Sequence, residues 1–194
     1  MAEAYIIDAC RTPRGIGKVG KGALAHIHPQ QLAATVLKAL AERNKLDTAT
    51  VDDIIWGTSS QRGAQGADLG RMAALDAGYD IKASGVTLDR FCGSGITSVA
   101  LAAAQVMSGM EDCVIAGGTE MMSYTAASAD PKTPPVMDAG NTRLRASHPQ
   151  TQQGVCADAI ATLEGIDREA VDRLAFTSQQ RAAKAIEEGR FDKS

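Results

Sequence analysis

Leu88-Asp89-Arg90-Phe91-Cys92-Gly93-Ser94-Gly95-Ile96-Thr97-Ser98 changes its period in the middle. The run from Gly85 to Phe91 reads as a short apolar strand. Beyond Gly93, Ile96, Val99, Ala100, Ala103, Val106 and Met107 recur at the i, i+3, i+4, i+7 spacing of a helix face. Cys92 therefore falls at the turn between a strand and a helix N-terminus. The first N–H groups of a helix lack partners within it, and its dipole is positive at that end, so a thiolate there is stabilised. Gly93 and Gly95 let the backbone turn sharply and leave open space for a substrate carbonyl. The Cys92 N–H is a candidate donor to an oxyanion formed on that carbonyl. The competing reading is a small buried hydrophobe, the commoner fate of a lone cysteine.

Working outward, the pattern is strand, helix, strand, helix. Tyr5-Ile6-Ile7 reads as a short buried strand that ends at the turn Arg11-Thr12-Pro13. Arg14 to Gly22 is a basic, glycine-spaced surface loop without the Gly-Lys-Ser/Thr ending of a nucleotide loop. Pro29 to Arg43 is an amphipathic helix with proline in its first turn. Ile54 to Thr58 is an apolar strand, and a polar loop from Ser59 to Gly66 leads to Asp68, which caps a helix closed by Gly78. After the cysteine helix, which Gly109 ends, Asp112 to Ala116 is a continuous apolar strand of the kind buried on both faces, so Cys113 reads as core. This order predicts an α/β fold with helices on both faces of a parallel or mixed sheet, with ligands at the carboxyl ends of its strands. The segment around Asp130-Pro131-Lys132-Thr133-Pro134-Pro135, on to Pro149, lacks periodicity and reads as a long loop. Asp158 to Leu163 and Arg168 to Glu188 read as helices, the second capped by Asp167 and closed by Gly189.

Arg90-Phe91-Cys92-Gly93-Ser94-Gly95, the alanine-rich run after it, and Ala116-Gly117-Gly118-Thr119-Glu120-Met121-Met122-Ser123 together resemble the thiolases. So do Ile7-Asp8-Ala9-Cys10-Arg11-Thr12-Pro13 near the start and Ser178 to Phe191 near the end. The resemblance implies that Cys92 is the acyl-carrying nucleophile, with its N–H in an oxyanion hole. The reaction would be transfer of acyl groups between CoA thioesters and CoA, either cleavage of a 3-ketoacyl-CoA or condensation of acetyl-CoA. No cofactor is implied beyond CoA and acyl-CoA as substrates. The implied fold is the first of two similar halves, a mixed five-stranded sheet with helices on both faces, followed by the start of a loop domain. Residues 1–123 would be the α/β domain and 124–194 the start of the loop domain with its following helices. Ser59 to Gly66 would lie at a dimer interface, and the family floor is a homodimer, with a tetramer depending on 124–149. Gly93, Gln153 and His148 are the implied substrate-pocket residues. Gln153 stands where the family commonly has Met, Cys156 where it has Thr, and Asp158 where it has Glu, which points to a more polar or altered acyl pocket.

Thiolase chemistry also needs a histidine base and a second cysteine as acid/base, held in Gly-His-Pro and Cys-x-Gly-Gly motifs. The sequence contains neither motif. Its two His-Pro pairs, at His28 and His148, lack the preceding glycine, and His26 reads as a loop residue. The expectation is therefore that this chain supplies the nucleophile half and that a C-terminal half completes it, as a separate chain or a missing segment. The rival readings are a non-catalytic thiolase-like subunit assembled with an active partner, and a ketosynthase-type condensing enzyme. The residues after Cys92 disfavour the ketosynthase type.

The totals agree with this class. With 194 residues the chain can bury one good core, and a net charge of −3 with pI ≈ 5.6 argues against nucleic acid as a partner. No apolar run approaches the roughly 20 residues of a membrane span, and Met1 to Ala4 has no features of a secretory signal. Cys10, Cys92, Cys113 and Cys156 lie far apart without metal spacing, so neither a disulfide nor a metal site is expected. A reducing, cytoplasmic setting fits best.

Overall fold

The computed structural model describes residues 3–127 and 137–192, and the chain divides into two units, Met1–Ala129 and Asp130–Ser194. The first is built on three parallel strands, β1 (Asp53–Gly57), β2 (Val86–Leu88) and β3 (Val114–Gly118), in the spatial order β2-β1-β3. In register, Gly57 of β1 sits beside Leu88 on one side and Gly118 on the other. The central strand is buried from Ile54 to Gly57, as cover on both faces requires.

Successive side chains of a strand point to opposite faces. Ile54 and Trp56 of β1 face a core made with Ala33 and Leu37 of α1 (Pro29–Asn44) and Leu69, Ala73 and Ala74 of α2 (Leu69–Asp76). Tyr79 closes that core, and its hydroxyl donates to the Leu37 carbonyl at 2.8 Å while burial pushes its pKa up to about 12. α3 (Ser94–Ser108) covers the opposite face. Helices on both faces are thus as expected. The caps are also where the sequence puts them. Asp68 accepts the Arg71 N–H at the start of α2, and Gly109, at φ 75°, ends α3. His28 caps α1, its Nδ1 accepting the Gln30 N–H at 3.2 Å.

Four expectations change. The described residues form three strands, all parallel, in place of a five-stranded mixed sheet. Tyr5, Ile6 and Ile7 are in no strand and are 73%, 82% and 82% exposed. An apolar tripeptide becomes a strand only against a neighbour that offers a row of N–H and C=O groups. The strand before Cys92 is confined to Val86–Leu88, because Phe91 takes a left-handed φ of 49° that no strand accommodates. α3 also turns the other way from its apolar periodicity. It buries Ser94, Ser98 and Ala102 against the sheet, and Ile96, Val99, Leu101 and Met107 face outward. Close approach decides this. A Cβ on Gly57 would lie 2.8–2.9 Å from Ser94, and the Ser98 hydroxyl donates to the Gly117 carbonyl at 3.0 Å. Only small side chains fit between helix and sheet at that distance.

Phe91–Ser108 is, by length and composition alone, long and apolar enough to cross a membrane, contrary to the expectation that no run is. Its helical part has 15 residues and rises about 22 Å, short of the roughly 30 Å hydrocarbon core, and one stripe of it packs on β1 and β3.

The second unit is helical: α5 (Thr142–Ser147), α6 (Gln153–Leu163) and α7 (Arg168–Glu187). α5 occupies part of the stretch expected to be loop, and α4 (Met122–Ala127) ends the described part of the first unit just before it. The Asp130-to-Pro135 stretch lies outside the described residues. α6 starts at Gln153, before the expected Asp158, since Gly154 costs only about 1 kcal/mol in a helix. Asp167 caps α7 as expected, accepting the Ala170 N–H at 2.8 Å.

Candidate active site

The carboxyl ends of all three strands lie together, and the residues just beyond each strand define the site. β2 runs into the turn that bears Cys92, β1 into Thr58 and Ser59, and β3 into Thr119 and Glu120. The ladder continues one step past the strands, with Thr58 N–H donating to the Leu88 carbonyl and Thr119 N–H to the Gly57 carbonyl, each at 3.0 Å.

Cys92 is solvent-exposed, between the end of β2 and the start of α3, where the change of period puts it. Gly93 is the N-cap of α3 and makes no side-chain cap. The turn closes on itself: Gly93 N–H donates to the Arg90 carbonyl at 3.0 Å and Ser94 N–H to the Phe91 carbonyl at 3.1 Å. Exposure sets Cys92 apart from Cys113, which is half-buried and whose thiol pKa is raised by burial first and by the Asp52 carboxylate second. Cys10 is also half-buried, with its thiol 3.6 Å from the Val36 carbonyl.

Beside the cysteine turn lies a polar network that spans long sequence separations. Both Glu120 carboxylate oxygens are engaged. One accepts from Ser59 N–H at 2.7 Å, Ser59 Oγ at 2.6 Å and Thr58 Oγ1 at 3.3 Å, and the other from Gln65 Nε2 at 3.1 Å. Gln65 is fully buried, and its carbonyl oxygen accepts the Met121 N–H at 2.7 Å. Tyr124 accepts the Ala64 N–H at 2.7 Å through its hydroxyl. The 59–66 loop is thereby tied to the segment after β3. Glu120 appears in the sequence only as part of a motif, and Gln65 as one polar loop residue among several, so their pairing is not legible there.

Burial alone would raise the Glu120 pKa, but the hydrogen bonds from Ser59, Gln65 and Thr58 outweigh it and hold the pKa below its ordinary 4.5. A carboxyl with a depressed folded-state pKa contributes stability that is fully present above its unfolded value and is lost as pH falls through the folded value. Glu120→Gln is therefore expected to lower stability at pH 7 by about 1–3 kcal/mol, because an amide presents hydrogen to donors that need an acceptor. Denaturant titration of both proteins is the check. The gap should narrow as pH drops below 4.5, and a gap constant down to pH 3 would contradict the assignment.

The remaining predicted residues are in the second unit. Gln153 is the first residue of α6 and exposed, and His148 is the exposed C-cap of α5. Cys92 and Gly93 share one turn, and Gln153 and His148 flank one short connection elsewhere in the chain. A cleft of about 300 Å³ in the first unit is lined by Val19, His26, His28, Met121, Ser123 and Tyr124, among others, and includes neither Cys92 nor Gly93.

The family model "Thiolase, N-terminal domain" matches residues 4–194, and the chain belongs to the thiolase family. It is 37% identical over 199 residues to a steroid 3-ketoacyl-CoA thiolase of Mycobacterium tuberculosis, covering 99% of this chain and 48% of the relative. It is 36% identical to a beta-ketoadipyl-CoA thiolase of Acinetobacter baylyi, covering 100% and 51%, and 37% identical to a 3-ketoacyl-CoA thiolase of Shewanella oneidensis, covering 100% and 48%. The chain spans about half the length of the curated relatives it matches.

Proposed function

We propose that this chain is the nucleophile half of a thiolase-type acyltransferase. The observation that carries the reading is an exposed cysteine at the open carboxyl end of a parallel sheet, at the N-terminal end of a helix. In the proposed step the Cys92 thiolate attacks the thioester carbonyl of an acyl-CoA. A carbon–sulfur bond forms, the carbonyl oxygen becomes an oxyanion facing the Cys92 N–H, and collapse expels CoA as its thiolate. In condensation the acyl group then passes to the α-carbon of a second acetyl-CoA. In cleavage the thiolate instead attacks the 3-keto carbonyl of a 3-ketoacyl-CoA, the C2–C3 bond breaks, acetyl-CoA leaves as its enolate and is protonated, and the acyl group left on Cys92 passes to CoA. Gly93, Gln153 and His148 are the substrate-pocket residues that the family resemblance implies, with Gln153 favouring a more polar acyl group than the family's usual Met.

The histidine base and second cysteine come from a C-terminal half. Two features support this. The sequence has no Gly-His-Pro or Cys-x-Gly-Gly. The outward face of α3, Ile96, Val99, Leu101 and Met107, is apolar and exposed, and a contiguous apolar face of that kind marks a surface for further protein to cover. The completed protein is a cytoplasmic homodimer or tetramer in this reading.

Native and denaturing mass, before and after incubation with acetyl-CoA, test it. The expected results are one acetyl group per chain on Cys92 and a companion half, on a second species or on further sequence of the same chain. A native assembly that never acylates would favour a non-catalytic subunit.

A further inference from the structure

We propose that Ser94 is the positioning residue for Cys92, acting through the backbone of the turn. The inference rests on the reading of Cys92 as nucleophile. Phe91, immediately before the cysteine, has a φ of 49°. A bulky side chain rarely adopts that region, and the conformation persists only where neighbouring structure enforces it. Burial of the phenyl ring does not enforce it, since Phe91 is 58% exposed. The Ser94 hydroxyl does so, together with the Asp89 carboxylate, which accepts the Phe91 N–H at 2.7 Å. Ser94 is 5% exposed, and its hydroxyl accepts the Arg90 N–H at 2.9 Å and donates to the Phe91 carbonyl at 2.6 Å. One side chain thus grips the backbone on both sides of the Arg90–Phe91 peptide, and its second contact is the carbonyl of the peptide that leads into Cys92.

Ser94 is itself immobilised from behind. Its backbone and Cβ lie against Gly57, where even a methyl group would come within 2.8–2.9 Å, and Gly57 is held in register between Leu88 and Gly118. The sheet therefore fixes Ser94, Ser94 fixes the left-handed turn, and the turn fixes the sulfur at the end of α3. Hydroxyl size matters: serine is small enough for the gap and carries both a donor and an acceptor.

The test is peptide-resolved alkylation by iodoacetamide on the full chain, with exposed Cys156 in the other unit as internal reference, and acetylation by acetyl-CoA in parallel. Ser94→Ala is expected to slow both reactions at Cys92 by about 10- to 100-fold, the scale of an ångström of misplacement, with Cys156 unchanged. Adding Phe91→Gly should recover part of the loss, because glycine takes positive φ without steric cost. A purely structural role would not be relieved that way. If Ser94→Ala does not fold alone, it is made in the Phe91→Gly background and compared with Phe91→Gly itself. The two should differ by less than about tenfold at Cys92, because glycine takes the turn without the hydroxyl. Equal Cys92 rates in wild type and Ser94→Ala, no recovery with Phe91→Gly, or a loss of about tenfold or more on adding Ser94→Ala to Phe91→Gly would each overturn the proposal. Failure of wild-type Cys92 to acetylate in the assembly completed by the C-terminal half would sink the nucleophile reading instead, with the alkylation ratios still reporting on Ser94.

Discussion

Cys92→Ala is expected to abolish acyl transfer by the completed enzyme while leaving the fold almost untouched. The loss should be about a thousandfold or more, as for nucleophiles removed from other covalent catalysts. The same substitution should change stability by no more than about 0.5 kcal/mol, because Cys92 is exposed and packs in no core. This combination separates a nucleophile from a structural cysteine. Cys113→Ala provides the contrast. That thiol is half-buried beside the α1–α2 core, and its removal should cost about 1 kcal/mol and leave the chemistry intact. Intact mass after incubation with acetyl-CoA reads the first effect, and denaturant midpoints read the second. Retention of the acetyl mass shift in Cys92→Ala would move the acyl site elsewhere, with Cys156, the other exposed thiol, the first place to look.

A feature was legible in the sequence to the extent that it depends on its own segment. Ile54 to Thr58 and the apolar run from Asp112 were readable because a strand buried on both faces is simply continuous, though β3 itself is shifted to Val114–Gly118. Asp68, Gly109 and Asp167 were readable because a cap is a local arrangement between one residue and its own helix end. The orientation of α3 was not. Periodicity singles out the face with Ile96, Val99 and Met107, but the choice fell to the smallest residues, Ser94, Ser98 and Ala102, because Gly57 brings helix and sheet backbones close. Tyr5 to Ile7 failed for the opposite reason, since strand formation depends on a neighbour and not on the segment alone. The position of Cys92 was legible from the change of period. The means of holding it there was not, because nothing about an aromatic residue announces a positive φ, and the Glu120–Gln65 bond joins residues 55 apart.

Trp56→Ala is expected to be the most destabilising single change in the first unit, at about 3–5 kcal/mol. Trp56 is 2% exposed at the centre of β1, and its ring nitrogen donates to Thr119 Oγ1 at 3.0 Å. Two glycines make room for it. A Cβ on Gly70 of α2 would come within 2.7 Å of the Trp56 Cβ, and one on Gly117 of β3 within 2.4 Å of its ring. The cavity left by alanine is therefore bounded by backbone on two sides, and backbone in a helix and a paired strand cannot collapse into it as side chains could. Against the roughly 5–15 kcal/mol that holds a typical domain, that loss leaves a large unfolded fraction. Trp56→Phe keeps most of the ring volume, loses the bond to Thr119, and should cost about 1–2 kcal/mol. Because Trp56 is the single tryptophan, far-ultraviolet circular dichroism, and not intrinsic fluorescence, is the fitting readout. The link to the site is directional. Gly57, next to Trp56, backs Ser94, so Cys92 reactivity in Trp56→Ala should fall only in proportion to the folded fraction. A Trp56→Ala protein within about 1 kcal/mol of wild type would mean that the α1–α2 core does not hold β1 in place.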